Sequence, residues 1–359
     1  MARDATSRIR PAVNVGPADP TNPGDPFSRF AAIYRARPAA LAPMEDVTDA
    51  VFRAVCRSLG ATLCFTEFVN VEGLLRGAAV AKRKITLAEG DQPTAIQIYG
   101  SDPARLAEAA VVAEAAGAAF IDINCGCWVP KVAGNGAGAA WLREPSAMVA
   151  MAAMVVRAVS VPVTVKTRIG LGPESHMPIV DLARRLQDAG VAALTVHCRT
   201  AQMGHSGKAD WQWAKRAKEG VTFPVLVNGD VRSASDAERA LAETGCDGVM
   251  IGRRAIDHPW VFGEVRARLE RGESVMAPSR EERARVARMH IAWAMEAGGE
   301  REALMAARRH VGGYLAGLEG AARLRKAINE ARSLDAVYAL IDRCVQGRAE
   351  HDTAHALDE

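Results

Sequence analysis

The sequence predicts an α/β protein, a (β/α)8 TIM barrel followed by a small all-α C-terminal domain. Up to about residue 275, short apolar runs alternate with helical stretches, which is the pattern of parallel strands covered by helices. Eight such units match the size and strand count of a barrel. Beyond Ser279 the chain shows helical patterns without strand signals. The alternation alone also allows a doubly wound parallel sheet, which is the alternative fold.

The predicted strands are short and apolar along their length, which suits a sheet that is buried on both faces. They span 39–43, 62–68, 94–98, 119–124, 162–168, 193–198, 223–228 and 248–252. Helix boundaries are clearest at 102–117, where Ser-Asp-Pro opens the helical pattern and a glycine closes it. The segment 233–245 repeats this design, which strengthens the prediction of repeated βα units.

The chain is expected to divide into four segments. Residues 1–35 are rich in proline and poor in large apolar side chains, which predicts a flexible leader. The barrel is predicted for 36–275, a helical domain for 279–347, and a flexible tail for 348–359.

A basic cluster lies in the predicted helical domain, between residues 306 and 328. It comprises Arg308, Arg309, Arg323, Arg325 and Lys326, and the segment contains a single acidic residue, Glu319. A solvated helix face is the plain interpretation of such a cluster, and a surface for nucleic-acid phosphates is the functional one.

Composition restricts the function classes. The net charge is only +3, so any nucleic-acid role requires a local basic patch. The sequence contains no apolar run of about 18 residues, so no transmembrane helix is predicted. The N-terminus does not resemble a secretion signal. Seven cysteines at irregular spacing argue against a disulfide framework and for a reducing cytoplasm. Nothing in the sequence indicates a membrane or an obligate protein partner.

Polar side chains lie at or near the carboxyl ends of the predicted strands, where barrels gather their chemistry. In chain order they are Gln97, Asn124, Lys166, Arg168, His197, Arg199, Asn228, Asp230 and Arg253. One lysine at a strand end is compatible with a structural role. Several polar residues at one mouth predict a functional site.

The last two strand ends predict an anion site. "NGD" at 228–230 and "IGRR" at 251–254 supply glycines that let backbone N–H groups approach a ligand, together with a guanidinium. Barrels often bind phosphate after strands seven and eight. Lys166 and His197 would then line the path toward the barrel centre, which suits the electron-rich ring of FMN. Two ordinary glycine turns are the alternative.

The stretch "IDINCGCWVPKV" (121–132) places Cys125 and Cys127 one residue apart. Zinc and iron–sulfur sites generally need four ligands, and the other five cysteines are scattered, so no metal is predicted. A disulfide across one residue would be strained, and a buried inert pair is the structural alternative. A working thiol at the barrel mouth is the preferred interpretation.

The chain resembles the flavin-dependent tRNA-dihydrouridine synthases, especially the bacterial type. The resemblance covers about residues 38–330 and rests on several motifs in order. They are LAPMEDVTDAVFR (41–53), TEF (66–68), IQIYG (96–100), DINCGCWVPKV (122–132), VKTRIG (165–170), VHCRT (196–200), SGKADW (206–211), VNGDV (227–231) and IGRRAIDHPWVF (251–262).

The resemblance implies reduction of the C5–C6 double bond of specific uridines in tRNA. The hydride would reach C6 from reduced FMN, which NADPH or NADH recharges. Cys127 matches the family thiol that gives a proton to C5. A thiol suits this role, since it is mostly protonated at pH 7.

Binding roles are implied in the same way. The residues that match flavin contacts are Pro43, Met44, Gln97, Lys166 and His197, and those that match phosphate contacts are Asn228, Gly229, Asp230, Gly252 and Arg253. Asn124 and Arg168 match positions at the target base. The helical domain, with Arg323, Arg325 and Lys326, matches the region that helps to grip tRNA.

The chain departs from the family pattern around the expected substrate. Trp128 replaces the usual proline after the thiol, Pro130 a usual lysine, Cys125 a frequent methionine, and His205 the aromatic before "SGKADW". These changes indicate a divergent branch and leave the target position open. Two alternatives remain. One is an FMN oxidoreductase of a free pyrimidine, similar to dihydroorotate dehydrogenase, and the other is a non-catalytic RNA-binding barrel.

Overall fold

The computed structural model describes residues 24–172, 177–318 and 320–346. These residues form two compact units, one of residues 24–50 and 61–251 and another of residues 51–60 and 252–346. Most of the predicted leader, the predicted tail and Glu319 lie outside the described residues. The helical unit therefore begins at 252 rather than at the predicted 279, and it includes a short segment from early in the chain.

The first unit is a closed barrel of parallel strands. The strands are β1 (Ala39–Leu41), β2 (Leu63–Phe65), β3 (Val69–Asn70), β4 (Thr94–Tyr99), β5 (Phe120–Cys125), β6 (Val163–Arg168), β7 (Ala193–His197), β8 (Val225–Asn228) and β9 (Gly248–Ile251). β2 pairs with β4, pairing then follows chain order to β9, and β1 joins β9 to β2. The two-residue β3 adds to β4. The predicted eight-stranded TIM barrel is confirmed, since a doubly wound sheet would have open edges.

Helices connect and cover these strands. They are α1 (Pro26–Arg35), α2 (Ala50–Ser58), α3 (Val71–Leu75), α4 (Ala79–Ile85), α5 (Pro103–Ala115), α6 (Pro130–Ala133), α7 (Pro145–Ala158), α8 (Ile179–Asp188), α9 (Gln212–Glu219) and α10 (Ala234–Thr244), with a 3-10 turn at Gly138–Arg143. The side chain of Asp102 accepts hydrogen bonds from two backbone N–H groups of α5, and Ser233 caps α10. Both helices lie where their start and stop signals predicted them.

The prediction of a flexible leader through residue 35 is wrong for its last ten residues, which form α1. Asp25 caps this helix and Pro26 begins it. Phe30 and Tyr34 are buried, and Phe30 makes an edge-to-face contact with Phe120, the first residue of β5, at 5.1 Å between ring centroids. α1 therefore packs at the end of the barrel where the strands begin, opposite the end that carries the polar residues.

The second unit is entirely helical. Besides most of α2, it contains α11 (Arg253–Asp257), α12 (Val261–Arg271), α13 (Arg280–Ala306), a π-helical turn (Ala307–Val311), α14 (Gly312–Tyr314), α15 (Ala321–Glu330) and α16 (Leu334–Val345). α13 contains a kink at Gly299, whose φ of 78° is outside the helical range. α13 therefore consists of two helical stretches joined by a bend at this glycine.

A histidine cluster lies inside this unit, formed by His290, His310, Phe52 and Tyr314. The ring of His310 stacks on Phe52 with centroids 4.3 Å apart, and the two imidazoles lie 4.9 Å apart. A 2.8 Å hydrogen bond joins His290 Nδ1 to the Tyr314 hydroxyl. Burial lowers the pKa of His290 to about 3 and lowers that of His310 well below its ordinary value, so both rings are neutral at pH 7.

Across the described residues, no helix is both long enough and apolar enough to span a bilayer.

Candidate active site

The strand register gathers the predicted polar residues on one face of the barrel sheet. Gln97 pairs with Asp122, Asn124 with Lys166, Arg168 with His197, and His197 with Asn228. Side chains alternate between faces along a strand, and paired residues of neighbouring strands share a face. The side chains of β4 to β8 that carry the chemistry therefore point into the barrel near its carboxyl end.

The end of β5 at Cys125 separates the two cysteines. Cys125 pairs with Thr167, which lies on the opposite face from Asn124 and Lys166, so its side chain points out of the barrel toward the helices. Its thiol is fully buried there, and burial raises its pKa well above the ordinary value. Cys127 lies beyond the end of β5 and is partly exposed. Both are free thiols.

Asn124 shapes the loop that carries Cys127. Its side-chain oxygen accepts hydrogen bonds from the backbone N–H of Gly126 (3.1 Å) and of Cys127 (2.9 Å). The carbonyl of Cys127 accepts another from Ala139 N at 2.9 Å. The Cys127 backbone is thus fixed on both sides. Asn124 was predicted to bind the target base. Its amide nitrogen donates to Gln97 at 2.9 Å, so its visible role is to position the thiol loop.

The environment of Cys127 keeps its thiol protonated. Burial raises the pKa of Cys127, and this effect exceeds the lowering by the Val129 backbone and by the charges of Lys166 and Arg168. A thiol whose pKa is raised carries its proton at neutral pH. The side chain can therefore act as a proton donor toward a ligand at the barrel mouth.

Arg168 joins the thiol loop to the loop after β7. Its Nε donates to Gly126 O at 2.8 Å, and its Nη1 donates to Thr200 O at 2.8 Å and Gly204 O at 2.9 Å. The side chain is almost fully buried, and burial lowers its pKa to about 10. A contact to the target base, which the resemblance implies, would have to use Nη2.

Beneath the thiol loop, Gln97, Asp122 and Thr164 form a buried network that includes Asn124. Gln97 Nε2 and Thr164 Oγ1 each donate to the Asp122 carboxylate at 2.5 Å. Burial raises the pKa of Asp122 to about 6 despite these bonds. Gln97 was predicted to contact the flavin. The structure shows its side chain fully buried, with both the nitrogen and the oxygen of its amide hydrogen-bonded to protein.

Asp122 was missed by the sequence analysis. The signal was an acid inside an apolar strand, because a buried carboxylate has to be paired or hydrogen-bonded.

Lys166 is the open cation of the barrel interior. Across the described residues, its ammonium makes no hydrogen bond or ion pair with another side chain or with the backbone. Burial lowers its pKa to about 8, and the neighbouring Arg168 adds to the lowering. A lysine that is mostly charged at pH 7 but lacks a protein partner is suited to bind an electron-rich ligand.

His197 is held neutral beside that lysine. Burial lowers the pKa of His197 far below its ordinary value, and the charges of Lys166, Arg168 and Arg199 lower it further. Arg199 Nη1 lies 3.5 Å from His197 Nε2. A neutral imidazole can donate or accept a hydrogen bond without adding charge, as a ring-binding role requires.

Asp230 forms an ion pair with the buried side chain of Arg199. Arg199 Nη2 lies 2.7 and 2.8 Å from the two carboxylate oxygens, and Ala209 N donates to one of them at 2.8 Å. Burial alone would raise the pKa of Asp230, but these bonds and one from Arg232 lower it to about 2. Asp230 was predicted at the phosphate site, and the structure shows it engaged in holding the loops after β7 and β8.

Gly229, the glycine of the "NGD" motif, brings the backbone close to the side chains of the site. Gly229 has a φ of 114°, and a Cβ there would lie 2.9 Å from Ala209 Cβ and 3.2 Å from His197 Cδ2. Its carbonyl accepts a hydrogen bond from Trp211 Nε1 at 2.8 Å, and Asn228 Nδ2 donates to Met250 O at 2.8 Å. A side chain here would collide with Ala209 and His197, so glycine lets the turn pack against the loop after β7, and its contact with a ligand stays a prediction.

Pro43 and Met44 follow β1 and are partly buried. Thr48 holds this loop, since Met44 N donates to its Oγ1 at 3.0 Å and its hydroxyl donates to Met44 O at 3.1 Å. The loop lies at the carboxyl end of the barrel, where the resemblance implies a flavin contact, and that role stays a prediction.

The other predicted residues belong to the helical unit. Gly252 precedes α11, and Arg253 begins it with an exposed side chain. On α15, Arg323, Arg325 and Lys326 are all exposed. Their roles toward phosphate and RNA stay predictions.

Neither Cys125 nor Cys127 belongs to a group of three or more potential metal ligands within the described ranges. The acids Glu45, Asp46 and Glu67 do form such a group, and Lys84 is ion-paired to both glutamates of it.

Sequence comparisons match the chain to proteins of one family. A family model described as "Dihydrouridine synthase (Dus)" matches residues 40–350. The chain is 37% identical over 304 residues to "Probable tRNA-dihydrouridine synthase 1" of Synechocystis sp., covering 84% of this chain and 85% of that protein. It is 37% identical over 316 residues to "tRNA-dihydrouridine synthase B" of Pseudomonas aeruginosa, covering 88% and 95%.

A "Probable tRNA-dihydrouridine synthase" of Mycobacterium tuberculosis is 36% identical over 332 residues, covering 89% of this chain and 85% of that protein. Among solved structures, a FabK mutant of Thermotoga maritima matches 71% of this chain and 70% of its own with a TM-score of 0.41 and 14% identity. That structural likeness is too weak to bear on fold or function, whereas the sequence relatives cover most of both chains.

Proposed function

This chain belongs to the dihydrouridine synthase family, and on that premise we propose that it reduces specific uridines of tRNA to dihydrouridine. The reaction adds a hydride at C6 and a proton at C5 of the uracil ring. The proposal includes FMN as cofactor, NADPH or NADH as reductant, and Cys127 as the proton donor.

The observation that carries the proposal is the state of Cys127. Its thiol is protonated, partly exposed and fixed on a loop whose backbone N–H groups bond to Asn124. Of the two neighbouring thiols, Cys125 faces the helices and is closed to a ligand in the barrel. A general acid needs a proton at working pH and access to the substrate, and only Cys127 of this pair has both.

The interior fits a flavin. Lys166 offers a cation without a protein partner in the described part of the chain, His197 offers a neutral ring nitrogen, and the backbone of Gly229 lies close against the His197 ring. We infer that these three residues, with Met44, hold the isoalloxazine ring and the adjoining ribityl chain. When bound and reduced, the flavin supplies the hydride.

The protein's own residues then do three things for the uracil. Cys127 Sγ holds the proton that C5 receives, while Asn124 and Arg168 keep the thiol loop in place through backbone hydrogen bonds. Lys166 stabilises the negative charge that develops on the uracil beside the thiol. The uridine has to leave its stack to reach this concave site, which costs a few kcal/mol for a base in a duplex and less for one in a loop.

α15 provides the expected RNA contact. Arg323, Arg325 and Lys326 lie within four residues of one helix, all exposed, and the pairing of Lys326 with Glu330 is long at 3.9 Å. Exposed basic side chains bind phosphates without reading sequence, so they suit a grip on folded RNA.

The test uses purified protein supplied with FMN, NADPH or NADH, and tRNA from a strain that lacks dihydrouridine. Mass spectrometry of the digested tRNA should show dihydrouridine at defined positions, and the protein should be yellow with a flavin spectrum. Parallel reactions contain uridine or orotate in place of tRNA.

Each alternative predicts a different result. Reduction of the free pyrimidine with no change in tRNA would favour the dihydroorotate dehydrogenase-like enzyme and contradict the proposal. Salt-dependent tRNA binding without flavin or product would favour the non-catalytic RNA-binding barrel.

A further inference from the structure

The indole of Trp128 is an exposed aromatic surface directly beside the proposed proton donor. Its side chain is 38% exposed, although tryptophan is usually well buried. It stands where the family pattern has proline, so the proposed chemistry does not account for it. The question is whether the ring is loosely placed or is built to meet a ligand.

The structure holds one face of this ring. A Cβ at Gly204 would lie 3.1 Å from Trp128 Cζ2 and 3.3 Å from both Cε2 and Cη2. Nearly equal distances to three consecutive ring atoms place Gly204 over the face of the six-membered ring rather than at its edge. Gly204 is buried, with a φ of +56° that favours glycine, so this face of the indole is covered and the exposed 38% of the side chain lies elsewhere on the ring system.

His205 and Arg168 complete the support. The His205 ring meets the indole edge-to-face, with centroids 6.0 Å apart and an interplanar angle of 86°. Arg168 binds both the Gly126 carbonyl of the thiol loop and the Gly204 carbonyl under the indole. The ring is therefore ordered before a ligand arrives, so little entropy is lost when a base stacks on it.

The order of the rings of His197, His205 and Trp128 indicates which base Trp128 contacts. His205 lies between Trp128 and His197, with 6.3 Å between the two imidazole centroids, so His197 lines the interior and Trp128 is the outermost ring of the row. The uracil being reduced has to reach the interior face beside His197 and Lys166. An outer ring meets the neighbouring nucleotide of the same strand.

Resting on the proposed function, we propose that the open face of Trp128 stacks on the nucleobase adjacent to the reduced uridine. Trp128 is then a substrate-contacting residue that helps to choose the RNA site. Base–aromatic stacking tolerates any base because every base has a π face, so the contact favours an unstacked loop nucleotide over a particular letter.

The experiment compares wild type with Trp128→Ala and Trp128→Phe, using unmodified tRNA and steady-state kinetics. Trp213→Ala is the matched control, since Trp213 is a partly buried tryptophan on α9 beneath Arg216. Loss of one stacked base at about 1–3 kcal/mol predicts a 5- to 150-fold rise in KM for tRNA in Trp128→Ala. The kcat and flavin content should stay within twofold of wild type, Trp128→Phe should recover most of the loss, and Trp213→Ala should match wild type.

An unchanged KM in Trp128→Ala overturns the inference. So does a fall in kcat with loss of flavin that Trp128→Phe shares, because that pattern belongs to a structural side chain. Should the alanine variant fail to fold, tryptophan fluorescence decides. Quenching on tRNA addition should be present in wild type and reduced in Trp128→Phe, and equal quenching contradicts the inference. Absence of dihydrouridine in wild type would instead defeat the proposed function.

Discussion

The barrel interior and the histidine cluster both bury ionisable side chains, and in both burial lowers the pKa of a base. Lys166 is lowered to about 8 and His290 to about 3. The surroundings differ. His290 bonds to Tyr314 and lies among aromatic rings, whereas Lys166 has no side-chain or backbone partner in the described residues. A perturbed pKa marks a functional site only where the group remains open to a ligand.

The largest effect on stability should come from the ion pair that supports the barrel mouth. Asp230→Asn tests it, because asparagine tolerates the positive φ of 57° at this position and removes the charge at nearly constant size, while one acceptor oxygen becomes an amide nitrogen. Arg199, 1% exposed, would be left without its counter-charge, so we expect a loss of about 3–5 kcal/mol in the free energy of unfolding. Urea denaturation measures this.

Arg232→Ala is the control for that prediction, since Arg232 contacts the same carboxylate with a side chain that is 67% exposed. An exposed ion pair contributes about 0–1 kcal/mol. If both variants lose the same small amount of stability, the pair is not the support of the mouth, and Asp230 returns to its predicted place among ligand contacts.

Lys166 should bind flavin in a pH-dependent way. The ammonium is charged below its pKa of about 8, so FMN affinity should be highest below pH 8 and should fall as the pH rises above it. Lys166→Met removes a charge-assisted contact of about 1.5–3 kcal/mol and should make the affinity independent of pH between 7 and 9.5. Flavin fluorescence titration follows both.

Lys166→Arg sharpens this test, because a guanidinium stays charged throughout the range. Its affinity should also be independent of pH, but higher than that of the methionine variant. A wild-type protein whose flavin affinity does not change around pH 8 would remove Lys166 from the flavin site.

The basic surface of α15 should act on RNA alone. Reversing Arg323, Arg325 and Lys326 to Glu should weaken tRNA binding and reduce its salt dependence by about one unit of slope per lost phosphate contact. Flavin content should be unchanged. Filter binding at several salt concentrations provides the slope, and an unaltered slope would make the cluster an ordinary solvated helix face.

The smallest effect at neutral pH belongs to the histidine cluster. The folded pKa of His290 is about 3 and an unfolded histidine titrates near 6.5, so the unfolded state binds more protons between these values. The contribution of neutral His290 to the free energy of unfolding is complete above about pH 6.5 and declines as the pH falls toward 3. His290→Phe should lose less stability than wild type between pH 7.5 and 5.0 in urea denaturation.

His310→Phe offers a second variant if the first packs badly. Equal losses of stability in wild type and both variants would show that the cluster does not titrate on unfolding. Flavin binding should be insensitive to either change, which keeps this region distinct from the barrel interior.

The sequence predicted the barrel and most residues of its mouth for a clear physical reason. Continuous apolar strands with polar ends place those ends at one rim of a closed sheet. Cys125 and Cys127 are two residues apart, so alternation alone would put them on one face, and they are separated because β5 ends at Cys125. The leader was misjudged because its prolines suggested flexibility. The signals for α1 were Asp25 before Pro26 and the spacing of Phe30 and Tyr34.

The sequence could not predict which side chains form hydrogen bonds and ion pairs with each other. Gln97 and Asn124 lie 27 residues apart, and only the register of β4 against β5 brings their amides together. Likewise, the sequence shows the charges of Arg199 and Asp230 but not that the two side chains form an ion pair. Register and pairing follow from the closed barrel as a whole.

The central claim is that Cys127 alone of the two thiols delivers the proton, and rapid mixing tests it most directly. The bound flavin is reduced anaerobically by the nicotinamide and then mixed with unmodified tRNA, in Cys127→Ala and in Cys125→Ala. Flavin reduction should match wild type in both. Reoxidation by tRNA should slow by about 10²–10⁴-fold in Cys127→Ala, the contribution typical of a general acid.

Cys125→Ala should cost only packing, on the order of 1 kcal/mol in stability, with near-normal reoxidation. The account is contradicted if Cys125→Ala slows reoxidation as much as Cys127→Ala does, or if either change removes a bound metal together with activity. Either result would mean that the two thiols work as a unit.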